Sequence, residues 1–85
     1  MKELRMEFIG KGEVKGFIFQ QVFVNDNWYI YKVTNEGSTH FETFKRKINK
    51  FYNCVSYPTS KSFGVWAWCD TTLEKSKIRV AKYGI

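Results

Sequence analysis

The chain contains one proline, Pro58, one histidine, His40, and two cysteines, Cys54 and Cys69. It also lacks long apolar runs: Phe17 to Phe19 and Val22 to Val24 are short, and even Val65 to Cys69 is far below a spanning length. A spanning helix needs about 20 consecutive apolar residues, so no membrane role is expected. One histidine and two cysteines without a CxxC pair fall short of the four ligands of a structural zinc site; no metal and no cofactor is expected. The two cysteines could pair, but Met1 to Phe19 has no charged segment leading into an apolar one, as a secretory leader would. Reduced thiols and a cytoplasmic location follow as expectations. With no Pro/Ser-rich linker, low-complexity tract or internal repeat, residues 1–85 read as a single small domain.

Catalytic parts are equally scarce. A thiol dyad would need His40 brought to Cys54 or Cys69, and the simpler reading makes His40 a polar residue at a strand edge and the cysteines small core fillers. The glycine-rich stretch GKGEVKG has neither the GxxxxGK[ST] spacing of a phosphate loop nor a helix directly after it. The chain is expected not to be an enzyme.

Acid is the most informative absence. Between Glu42 and Asp70 lie Lys45, Arg46, Lys47, Lys50 and Lys61 and not one Asp or Glu, so this stretch carries +5 of the formal net charge of +6. Such a balance favours an anionic partner, either nucleic acid or an acidic protein face. Phe44, Phe51, Tyr52, Tyr57, Phe63, Trp66 and Trp68 are interleaved with the cations. Cationic grooves lined by rings are how sequence-tolerant single-strand binders hold phosphates and stack bases. The expected binding residues are Lys45, Arg46, Lys47, Lys50, Tyr57, Lys61, Trp66 and Trp68. A basic strand end with its rings turned inward would give the same composition, and no RNP motif, helix-turn-helix, GXXG loop or zinc finger is present.

Aromatic residues make up 19% of the chain, a means by which a short chain can still fill a core. The period of two places Leu4, Met6 and Phe8 on one strand face, and Gly10 with Gly12 then marks a turn. In EVKGFIFQQVFVN the same period puts Phe17, Phe19, Gln21 and Phe23 on one face. Asn25-Asp26-Asn27 reads as a turn into the returning strand WYIYKVT, and Asn35-Glu36-Gly37-Ser38 as a second turn into THFETFKRK. From Ile48 to Phe63 the pattern dissolves, with a short helical turn expected at Ile48 to Tyr52. Thr71 to Glu74 fits a capping box for a C-terminal helix. Leu73, Ser76, Val80 and Ala81 would form its inner face, Lys75, Arg79 and Lys82 its outer one, and Gly84 its stop.

The expected fold class is α+β: an antiparallel β-meander of four to five strands with one C-terminal helix packed on one face. A single helix would leave the opposite face aromatic and uncovered, which points to a partner surface or a homodimer. Two functions follow. The first is a small basic binding module for nucleic acid, by single strand or backbone. The alternative is a protein-binding accessory or inhibitor module acting through the uncovered face, reminiscent of accessory proteins of phages and plasmids. Trp66 and Trp68 fall on one face of a strand, with Val65, Ala67 and Cys69 opposite. Which side the helix covers decides whether the two rings are core or interface.

Overall fold

A computed structural model of the chain describes residues 3–10 and 15–83. In chain order these form β1 (Glu7–Ile9), β2 (Ile18–Val24), β3 (Trp28–Asn35), β4 (Ser38–Lys45), β5 (Ile48–Asn49), β6 (Cys54–Val55), a 3-10 turn (Ser60–Ser62), β7 (Ala67–Asp70) and α1 (Leu73–Tyr83). Five strands make one antiparallel sheet in the order β1-β2-β3-β4-β7, and α1 packs across β3, β4 and β7. The fold is the α+β class expected from the sequence. Strands β5 and β6 form a separate small hairpin where a helical turn was expected.

Local chemistry explains the turns. Asn25 Oδ1 accepts the backbone N–H groups of Asn27 and Trp28 at 2.9 and 2.7 Å, closing the β2–β3 connection. Between β3 and β4 only Glu36 and Gly37 lie outside the Asn35–Ser38 pair, with φ of 48° and 83°. Positive φ at both central residues is the turn whose twist matches a two-residue hairpin. In the β5–β6 hairpin, Asn49 Oδ1 accepts from the N–H groups of Phe51 and Tyr52, at 2.9 and 3.2 Å, and Asn53 sits at φ 53°. Gly12 and Gly84, expected at a turn and at the helix stop, lie outside the described residues.

The helix begins one residue later than the capping box predicts. Leu73 opens it, and Thr72 Oγ1 accepts the Lys75 N–H at 3.2 Å. The residue three positions after this cap is therefore Lys75, which cannot return a bond as Glu74 would have done from Thr71. Thr71 Oγ1 instead accepts from Lys75 Nζ at 3.2 Å. Thr72→Ala is expected to cost about 1 kcal/mol. A thermal melt should read this as a fall of roughly 4–8 °C for a domain of this size.

Each face of the sheet carries a core, although α1 reaches only β3, β4 and β7 and leaves Ile9 and Ile18 of β1 and β2 exposed on its side. Under α1 lie Trp28 and Ile30, packed with Phe23, Phe41, Trp68, Leu73 and Val80. On the opposite face Phe19, Tyr29, Tyr31, Val33, Phe44 and Ala67 form a larger core, over which Leu4, Val55, Tyr57, Phe63 and Trp66 close. The chain from β5 to β7 and the N-terminal segment thus do what the single helix cannot. The uncovered aromatic face expected from the sequence is absent among the described residues.

Two departures from strict alternation produce this division. A bulge in β2 leaves Val22 without a partner, since Gln21 pairs with Tyr31 and Phe23 with Ile30. The extra residue sends Phe23 to the helix side while Phe17 and Phe19 stay on the other. The second is at β7, which begins at Ala67; Trp66 lies in the preceding turn. Trp68 therefore packs beneath the helix, 5.8 Å from the Trp28 ring, and Trp66 packs on the far side against Phe44, 6.3 Å away. The period of two does not extend back to Trp66, so the two rings do not share a face.

One buried carboxylate ties helix to sheet. Asp70 accepts from Thr43 Oγ1 at 3.2 Å, Ser76 Oγ at 3.1 Å, and Arg79 through Nε at 3.2 Å and Nη2 at 2.9 Å. Burial works against the charged form, but Arg79, with Ser76 and Thr43, outweighs it and holds the Asp70 carboxyl below its ordinary range. Arg79, read from the sequence as an outer-face cation, instead turns inward and lies 5.4 Å from the Trp68 ring centroid.

Candidate functional site

Lys45, Arg46 and Lys47 follow one another at the end of β4, where Lys45 N–H donates to the Trp66 carbonyl and Arg46 N–H to the Asn27 carbonyl. The strand and its alternation end at Lys45, and the three side chains go different ways. Lys45 Nζ lies 5.9 Å from the Trp28 ring centroid and Lys47 Nζ 5.1 Å from that of Trp66, so each ammonium caps the rim of a different core. Arg46 is drawn into an ion pair with Glu3, whose Oε1 also accepts from the Tyr29 hydroxyl. Hydrogen bonds from Arg46 and then Tyr29 lower the Glu3 pKa, and the bond to Glu3 raises that of Arg46. Of the five cations in the acid-free stretch, Arg46 thus has its charge matched inside the fold.

Lys45, Lys47, Lys50 and Lys61 are exposed, and among the described residues none lies within ion-pair distance of a carboxylate. Lys50 stands in the β5–β6 turn and Lys61 in the 3-10 turn. The expected ring residues are placed differently. Tyr57 lies edge-on to Phe8, Phe19, Tyr31 and Phe44 at 4.8 to 5.6 Å, while Trp66 and Trp68 pack as described above. All three are half-buried and engaged by the core.

Below Tyr57 is a short polar chain. Its hydroxyl donates to Glu42 Oε1 at 2.7 Å, and Glu42 Oε2 lies 2.9 Å from His40 Nε2. Burial, then the Glu42 charge, pushes the Tyr57 pKa far up, which keeps the phenol a neutral donor. Cys69 sits opposite Glu42 in the sheet register, and burial followed by the nearby charges of Glu42 and Asp70 raises its pKa. A raised thiol pKa is the reverse of what a nucleophile requires. Both cysteines are free thiols. Glu42 also reaches an open groove of about 990 Å³ lined by Leu4, Phe8, Phe19, Val55, Pro58 and Phe63.

Among the described residues, no three of His, Cys, Asp or Glu gather to hold a metal ion, and no helix is long and apolar enough to cross a membrane. No family model, curated protein or solved structure matches the chain. Function is therefore read from its own side chains.

The sequence counts Phe51 and Tyr52 among the interleaved rings but not among the expected binding residues, and they are the most exposed rings among the described side chains. Phe51 and Tyr52 are 87% and 71% exposed at the tip of the β5–β6 hairpin, and their centroids lie 4.9 Å apart with the planes at 77°. Lys50 precedes them. The available signal was Asn49 with Asn53, two residues suited to closing a four-residue turn, which would have placed both rings outside any strand.

Proposed function

We propose that the protein is a non-catalytic binding module that holds the phosphate backbone of a nucleic acid. One observation carries this reading: Lys45, Lys47, Lys50 and Lys61 are exposed, lack carboxylate partners among the described residues, and lie in a stretch of the chain without acid. Unmatched ammonium groups gain from displacing the counterions that surround a polyanion. An interface with an acidic protein face would draw on the same cations, but it would carry a far weaker salt dependence. A reducing, cytoplasmic setting suits the two free thiols.

The test is a titration of labelled oligonucleotides at two salt concentrations, for the wild type and for Lys45→Ala, Lys47→Ala, Lys50→Ala and Lys61→Ala combined. Wild-type affinity is expected to fall steeply with salt, by roughly one power of salt per phosphate neutralised. The quadruple variant should bind weakly and with a flatter salt slope while still melting in one cooperative transition, lowered by the lost Lys45 and Lys47 contacts to Trp28 and Trp66. Failure of the wild type to bind any oligonucleotide at low salt would overturn the reading.

A further inference from the structure

We infer that the tip of the β5–β6 hairpin is a stacking site for unpaired nucleobases, so that the module prefers single strands to duplex; this rests on the backbone-binding reading above. Large apolar rings are ordinarily withdrawn from water. Here two consecutive ones are held out in it, at 87% and 71% exposure, by a turn whose geometry is specified. Asn49 Oδ1 takes the N–H groups of both residues, and Asn53 adopts the left-handed backbone that closes the loop. At the root, Val55 is 4% exposed within the larger core, and Ser56 N–H donates to the Lys47 carbonyl at 2.8 Å. The rings therefore stand on an anchored stalk, and little order has to be gained when something lands on them.

Charge selects the occupant. Lys50 adjoins the rings in the turn, Lys47 enters the hairpin, and the acid-free stretch extends on both sides of the tip. An apolar protein surface would gain nothing from these ammonium groups, whereas a nucleic acid strand presents a phosphate and a flat apolar ring in every unit. The roughly perpendicular Phe51–Tyr52 pair offers ring surface in two directions. Paired bases are hidden in the duplex stack, so only an unpaired base can reach these rings, and stacking on an aromatic is tolerant of sequence.

The experiment compares a labelled oligothymidylate with a labelled duplex at low salt, using the full chain, Phe51→Ala/Tyr52→Ala, and Phe51→Tyr/Tyr52→Phe. The wild type should bind the single strand more tightly. The alanine pair should lose about tenfold on the single strand and keep its duplex affinity and its melting temperature, and the aromatic exchange should restore the single-strand affinity. Unchanged single-strand binding by the alanine pair would overturn the stacking site and leave the lysine reading intact; absence of all binding by the wild type would overturn both. Sedimentation without nucleic acid supplies the remaining arm. A wild-type dimer that the alanine pair converts to monomer would assign the tip to a second copy of the chain and overturn the inference, and a monomer in both supports it.

Discussion

Asp70→Ala is expected to be among the most damaging single substitutions in this domain, lowering stability by about 3 kcal/mol. The carboxylate is 6% exposed and takes four hydrogen bonds from β4 and α1. Removing it strands the hydroxyls of Thr43 and Ser76, both in fully buried residues, and takes the Asp70 charge away from the half-covered Arg79 guanidinium. Urea denaturation should show the loss as a lower midpoint, and a thermal melt as a fall of about 15 °C. The pH dependence has a defined sign. Asp70 has a lower pKa folded than unfolded, so its contribution is complete above the ordinary carboxylate range and is lost as the pH falls through the folded value. The stability of the variant should accordingly change less between neutral and acid pH. Glu3 shares the direction of shift but is exposed, and its part in the slope is small.

Phe44→Ala should cost about 4 kcal/mol. Phe44 is fully buried, and its ring meets Tyr29, Tyr31, Tyr57 and Trp66 with centroids between 4.8 and 6.3 Å away. Its loss opens a void among rings that are themselves fixed by hydrogen bonds: Tyr29 to Glu3, Tyr31 to the Arg5 carbonyl, Tyr57 to Glu42. Rings tethered at their polar ends cannot slide inward to fill it. The same chemical change at Phe51 should hardly move the urea midpoint, its stability changing by less than about 0.5 kcal/mol, since that ring gives up no packing against the core. The contrast between the two phenylalanines, measured side by side, separates a ring used for folding from one that is not.

The sequence made the sheet and helix legible because their signals are local. Alternation in WYIYKVT and the turn residues at Asn25–Asn27 and Glu36–Gly37 act over a few positions, and each was read at its place. What was not legible depended on single-residue offsets. Val22 has nothing in its chemistry that marks a bulge, yet it moves Phe23 from one core to the other. Trp66 and Trp68 look like one feature at a spacing of two, and they separate because the strand starts between them. The candidate site suffered from the same limit. Lysines are counted easily from composition, but which one is neutralised depends on Glu3 arriving from the far end of the chain to meet Arg46. Phe51 and Tyr52 resemble core residues by type, and only the closing of the Asn49 turn exposes them.

Strand β3 serves as a wall shared by two rooms. Tyr29, Tyr31 and Val33 belong to one core, and Trp28 and Ile30 to the other, all within a single span of backbone. Neither layer can loosen alone, because releasing one set of side chains frees the strand that holds the opposite set in position. For a chain too short to hold two independent cores, this joint dependence makes both layers melt as one cooperative unit. It also couples the distant end of the molecule to its interior: Val55 roots the β5–β6 hairpin in the larger core, so a strand bound at the tip would favour the folded form and raise its resistance to unfolding by mass action.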